Sequence, residues 1–187
     1  MRAIAAGVWL CLLGGCIISE PAPLARYEFE EPHMGTRVRV VLYAGSPEAA
    51  ERARMAAFDV MRDIDARMSD YRADSELSLL SAAAGRGPQP VSPPLLEVLR
   101  ASLDTAELSD GAFDVTVGPL VKLWRKARAE KRLPSPEEIA RAREATGWKH
   151  LLLGKDTAEL VRPGMALDVG GIAKGYACDR ALAAMAA

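Results

Sequence analysis

The stretch Asp168-Val169-Gly170-Gly171-Ile172-Ala173-Lys174-Gly175 gathers a carboxylate, two adjacent glycines and a lysine behind the apolar run Met165-Ala166-Leu167. Glycines let the backbone turn sharply and approach a ligand closely. A run of helix formers follows, and a helix start offers unpaired N–H groups with a partial positive charge, an anion site. Lys174 adds a full positive charge there, and Asp168 offers oxygen to a divalent cation. Together these groups have the chemistry of a phosphate-plus-metal site, with a nucleotide diphosphate as its natural guest. By spacing alone, a packing turn ahead of a helix fits the same residues.

Three further groups carry chemistry-bearing residues. In His33-Met34-Gly35-Thr36, Met34 reads as core packing and Gly35 as a bulge. His33 is given no catalytic role. The stretch 67–78 reads as a polar loop whose single aromatic, Tyr71, is either a surface residue or a platform for a base. In Asp110-Gly111-Ala112-Phe113-Asp114, Phe113 fits an ordinary core position and Asp114 a helix cap.

The elements that must hold these groups follow from periodicity. Thr36 to Ala44 alternates, with Val38, Val40 and Leu42 on one face, which predicts a half-buried strand. Ser46 and Pro47 then open a helix with Ala50, Ala53, Ala57, Met61, Ile64 and Met68 inward. A second helix from Pro93 is expected to turn Leu96, Leu99, Leu103 and Ala106 inward and to stop near Asp110-Gly111. A third is expected from Pro119 to Arg132, its basic cluster (Lys122, Arg125, Lys126, Arg128, Lys131, Arg132) a solvated face. Ser135-Pro136-Glu137-Glu138 is a capping box for a fourth, ended by Gly147. Two short strands, Trp148 to Leu153 and Ala158 to Arg162, flank a turn. Helices and strands without strict alternation make the fold class α+β.

Composition sets the outer bounds. The chain has 187 residues, 50% apolar, with a net charge of −1. That supports one domain with a real core and argues against nucleic acid as a partner. Residues 1–16 read as a leader: Arg2 gives a positive start, residues 4–13 are apolar but short for a membrane span, and Leu13-Gly14-Gly15-Cys16 follows. Small residues before a cysteine resemble the lipobox of bacterial lipoproteins, which makes Cys16 the lipidation site; a plain secretory signal is the alternative. Residues 17–30, with Pro21 and Pro23, read as a tether, and 31–187 as the folded domain. Cys178 then remains alone and reads as a small buried residue rather than a nucleophile.

Asp168-x-Gly170-Gly171-Ile172-Ala173-Lys174-Gly175-Tyr176 resembles the signature of the ApbE family, the FAD:protein FMN transferases. Met34-Gly35-Thr36, the Met68-Ser69-x-Tyr71…Ser75-Glu76-x-Ser78 stretch and Gly111-Ala112-Phe113-Asp114 match further motifs of that family in the same order. Ser81 stands where the family commonly has asparagine. The resemblance implies an ApbE-like, T-fold-like α+β domain. It implies FAD contacts at Met34, Tyr71, Ala112, Phe113, Asp114, Asp168 and Lys174, and a Mg²⁺ ligand in the backbone carbonyl at or near Gly171. The implied reaction is Mg²⁺-dependent transfer of FMN from FAD to a threonine hydroxyl of an acceptor flavoprotein subunit, releasing AMP. FAD hydrolysis and simple FAD binding by an inactive remnant are the alternatives. With the lipid anchor, the implied location is the periplasmic side of the inner membrane. The resemblance covers only the N-terminal half of such proteins, so the sequence is expected to be either a fragment of a longer protein or a truncated product, ending after the glycine motif without the later metal ligands.

Overall fold

The alternation of Thr36–Ala44 becomes strand β2, and its partner is an antiparallel strand β1, Ala25–His33, in a register from Ala25↔Ala44 to His33↔Thr36. The computed structural model describes residues 23–186; the leader and Cys16 lie outside the described residues. Strand β1 occupies part of the stretch expected as a tether. Its own alternation explains this: Tyr27 and Phe29 are half-buried, while Arg26, Glu28 and Glu30 face solvent. Val38, Val40 and Leu42 turn inward from β2 as expected.

Helix α1, Pro47–Met68, starts at Ser46, whose side chain accepts from the Ala49 N–H, with Pro47 in the first turn. Its buried stripe is Ala50, Ala57, Phe58, Met61, Ile64 and Met68. Helix α2, Glu76–Ala82, lies in and beyond the expected polar loop: Ser75 caps it and Leu77 and Leu80 bury against the core. Helix α3, Pro93–Leu108, turns inward Leu95, Val98, Leu99, Ser102 and Ala106, one step round from the expected face. The adjacent Leu95-Leu96 pair satisfies either phase, and packing selects Leu95.

Helix α4 covers Gly118–Ala129 and α5 covers Pro136–Glu144. The capping box at Ser135 forms in both directions, with Glu138 also paired to Arg132 at 2.6 Å. Arg132 and the Ser135 N–H hold the Glu138 carboxyl down at about 2. This stabilisation is present above the ordinary glutamate range and is lost as pH falls through about 2. An NMR titration of Glu138 should show that low midpoint, shifted toward the ordinary value in strong salt because the pair is exposed.

Strands β3 (Gln89–Pro90), β4 (Leu151–Leu153) and β5 (Thr157–Leu160) form an antiparallel sheet ordered β3-β5-β4. A 3₁₀ turn over Trp148–His150 replaces the start of the longer strand expected there. Helix α6, Ala173–Met185, packs Ala173, Ala177 and Ala181 into the core. These alanines form the inward face, so Cys178 falls just beside it and is exposed rather than buried. No helix of the described residues is long and apolar enough to cross a membrane.

Candidate functional site

The site is built on a backbone strap that lays Asp168 across the end of α4. Ala166 makes a parallel bridge to Val117, and the Asp168 N–H donates to the Val115 carbonyl at 2.8 Å. Met165, Leu167 and Val169 are buried and anchor the strap. Its closeness to α4 depends on Gly118: a Cβ there would lie 2.5 Å from the Ala166 carbonyl oxygen. From below, Ser81 Oγ donates to the Leu77 carbonyl and accepts from the Leu167 N–H at 3.0 Å. Ser81→Ala should leave that N–H without its acceptor and destabilise the fold by roughly 1–2 kcal/mol, measured by urea unfolding.

At the end of the strap Asp168 Oδ1 accepts from the Gly170 N–H at 2.8 Å, which fixes the carboxylate against its own turn. Helix α6 then begins at Ile172 without a side-chain cap; the Ile172 and Ala173 N–H groups donate to the Val169 carbonyl, which leaves those of Lys174 and Gly175 to other acceptors. Lys174 in the first turn reaches back to the Gly170 carbonyl at 3.2 Å.

Met34 and Gly35 form the two-residue turn between β1 and β2, with φ of 51° and 69°. Positive φ at both positions is what a type I′ hairpin turn requires, so Gly35 serves a turn and not a bulge. A methionine in this conformation is strained by roughly 1–3 kcal/mol, a feature that concentrates at functional sites. The turn projects Met34 against the core and toward Asp168 across a shared cavity.

That cavity, of about 280 Å³, is lined by Met34, Asp70, Tyr71, Arg125, Asp168 and Lys174, with Gly170 and Asp65 beside them. A second hollow beside the hairpin turn shares Met34, Gly35 and Asp65 with it. Tyr71 stands on a loop tied by serines: Ser75 Oγ donates to the Ser69 carbonyl at 2.6 Å, and Ser78 Oγ does so at 3.4 Å. Glu76 in the same motif accepts from the Ser92 hydroxyl at 2.6 Å and from the Ser92 N–H, locking this loop to the start of α3. The Tyr71 ring is exposed, and the Arg125 guanidinium lies 4.3 Å from its centroid.

Arg125, Asp70 and Asp65 are charged cavity residues that sequence reasoning missed. Arg125 pairs with Asp70 and reaches Asp168 Oδ2 at 3.5 Å. Burial opposes its charge, but the pairing with Asp70, Tyr71 and Asp168 prevails and raises its pKa above the usual arginine value. The rest of the basic cluster on and after α4 is exposed, as expected of a solvated face, and Arg125 is the exception. A signal was present: Arg125 lies seven residues after the buried Gly118, two helical turns along the inward side.

The cavity thus brings together Met34, Tyr71, Asp168 and Lys174 from three separate segments. Gly171, Ala112, Phe113 and Asp114 lie outside its lining. Phe113 backs the glycine turn, 3.0 Å from where a Gly171 Cβ would be. Ala112 is exposed. The Asp114 carboxylate is engaged by the Thr116 N–H and hydroxyl, both at 2.7 Å, and by the Trp148 N–H at 3.0 Å.

Three carboxylates (Asp65, Asp70, Asp168) face two cations (Arg125, Lys174) in the cavity. Such a lining resists a bare diphosphate and suits one that arrives with a divalent cation. Among the described residues no cluster of three His, Cys, Asp or Glu side chains is arranged to hold a metal alone. Mg²⁺ commonly binds through one or two carboxylates plus substrate phosphates, and Asp168 with neighbouring carbonyls fits that pattern.

The ApbE family model matches residues 34–187. The chain is 33% identical over 174 residues to an FAD:protein FMN transferase of Vibrio cholerae serotype O1, covering 91% of this chain and 51% of that protein. Among solved structures, the ApbE protein from Thermotoga maritima superposes with a TM-score of 0.79 at 32% identity, covering 86% of this chain and 52% of the other. The Pseudomonas stutzeri flavinyl transferase ApbE in its apo form gives a TM-score of 0.79 at 31% identity, covering 88% and 53%. The chain spans about half the length of these relatives.

Proposed function

The chain belongs to the ApbE family, and from that premise we propose that its cavity binds FAD together with Mg²⁺ and serves transfer of FMN to a threonine hydroxyl of an acceptor flavoprotein, releasing AMP. The observation that carries this reading is the convergence of Asp168, Lys174, Tyr71 and Met34 on one cavity at the uncapped start of α6.

Each residue has a task that its chemistry supports. Asp168 is held by the Gly170 N–H through one oxygen and presents the other toward the cavity, where a hard cation takes it as a ligand. The Lys174 ammonium and the Lys174 and Gly175 N–H groups in the first turn of α6 donate to phosphate oxygens. Tyr71 offers a ring face on which the adenine stacks, and Met34 offers an apolar surface to the flavin nucleotide. Bound Mg²⁺ supplies charge neutralisation at the diphosphate and polarises the phosphorus under attack. In the transfer, the threonine oxygen bonds to the FMN phosphorus, the P–O bond to AMP breaks, and the hydroxyl proton is lost.

A leader at residues 1–16 with a lipid on Cys16 would hold the protein on the periplasmic face of the inner membrane, the surface where membrane flavoproteins present an acceptor threonine. The test is covalent labelling. The protein is incubated with FAD, Mg²⁺ and an acceptor flavoprotein, then run on a denaturing gel and imaged for flavin fluorescence. The expected result is a labelled acceptor that disappears with EDTA. No label, with a full-length relative labelling the same acceptor in parallel, overturns the transfer reading; free FMN and AMP without label would identify a hydrolase.

A further inference from the structure

Arg125 sits in the cavity as a donor set that its known partners do not exhaust. A guanidinium carries five N–H donors in a rigid fork that matches phosphate oxygens. Here Nη1 is taken by Asp70, and Nη2 meets Asp168 Oδ2 only at 3.5 Å, the long limit of a hydrogen bond. Asp70 on one side and the Tyr71 ring at 4.3 Å on another hold the group in place. Its side chain remains 38% exposed, while those of Asp70 and Asp168 are 15% and 17% exposed. Lys174 lines the same cavity.

The geometry points to Arg125 as a diphosphate-selecting residue, one that exchanges its long contact with Asp168 for an oxygen of the second phosphate while Asp70 and Tyr71 keep it aimed. The exchange has a second consequence. It frees Asp168 Oδ2 for the divalent cation, so phosphate and cation bind better together than either alone. Selection follows from the charge count. A monophosphate is satisfied by Lys174 and the start of α6, whereas a diphosphate needs a second cationic donor in this acid-lined cavity. The identity of the diphosphate as FAD rests on the flavin reading above; the role of Arg125 rests on the cavity.

The experiment is a calorimetric titration of the full chain with ADP, AMP and FAD in Mg²⁺, on the parent and on Arg125→Gln, Arg125→Lys and Arg128→Gln. Loss of a charged hydrogen bond to phosphate is expected to weaken ADP by about tenfold in Arg125→Gln. AMP should change little, so the ADP-over-AMP preference collapses. Arg125→Lys should restore part of that preference, and Arg128→Gln, on the exposed side of α4, should leave it intact. A merely structural role would weaken ADP and AMP alike, and thermal melts of each variant report folding. Equal ADP binding by Arg125→Gln and the parent overturns the proposal, as does an equal loss for both ligands. If the parent takes ADP in an Arg125-dependent way but not FAD, the flavin reading falls and this one stands. If the parent and Arg125→Gln bind FAD and ADP equally well, this one falls and the flavin reading stands. If the parent binds none of them, both fall.

Discussion

Asp168→Ala is expected to lose Mg²⁺-dependent FAD binding by about 100-fold or more, with the fold intact. The side chain accepts one hydrogen bond from its own turn, at Gly170, and its other oxygen has only the long contact with Arg125. The strap itself is fixed by backbone bonds from Asp168 to Val115 and from Leu167 to Ser81, which the substitution leaves in place. Removing the carboxylate therefore removes the proposed cation ligand without removing the scaffold. Arg125 keeps Asp70 as its partner, so no buried charge is stranded. Calorimetric titration with FAD in Mg²⁺ and in EDTA checks it: the parent should show a large difference between the two buffers and the variant almost none. A variant that binds like the parent places the cation elsewhere. Asp168→Asn sharpens the result, because it keeps an acceptor for the Gly170 N–H and loses only the charge.

Gly118→Ala is expected to destabilise the protein by roughly 3 kcal/mol and to lower Tm by on the order of 10 °C. A Cβ at this position would stand 2.5 Å from the Ala166 carbonyl oxygen and 2.6 Å from its carbon. Both are backbone atoms of the strap, so relief requires the strap to move away from α4. That movement carries Asp168 with it, and FAD binding should weaken beyond what the lost stability explains. Gly175→Ala is the internal control. Nothing lies within 4 Å of a Cβ there, and the residue is inside α6. It should be neutral or stabilising by about 0.5–1 kcal/mol, because alanine is the better helix former. Thermal and urea unfolding of the two variants side by side separates a steric effect from a general intolerance of the glycine positions.

The elements that sequence reading placed well are those with a local signal that admits one solution. Thr36–Ala44 alternates cleanly, Ser46-Pro47 opens α1 and Ser135-Pro136-Glu137-Glu138 forms its box as written. The α+β class followed from helices and strands without strict alternation and the family from motif order, and the superposition with ApbE structures agrees. Strand β1 was missed because prolines at 21 and 23 suggested a tether, although Tyr27 and Phe29 alternate with charges just beyond them. The inward face of α3 slipped by one residue because a Leu-Leu pair fits two helical phases. The pairing of Arg125 with Asp70 was invisible for a deeper reason. A charge pattern along one helix says nothing of a carboxylate 55 residues earlier that the fold brings beside it. Asp114 shows the converse: its carboxylate is spent on Thr116 and Trp148, bonds that a motif does not display.

The central claim is that the cavity between the Met34-Gly35 turn and the start of α6 is an FAD site that needs a divalent cation. Its most direct test is an equilibrium titration of FAD fluorescence against the protein in Mg²⁺, then in EDTA, for the parent and for Tyr71→Ala. The account predicts saturable binding in Mg²⁺, its loss in EDTA, and a weakening by about tenfold when the stacking ring is removed. Binding that ignores both EDTA and the Tyr71 substitution, or no binding in Mg²⁺, would contradict it.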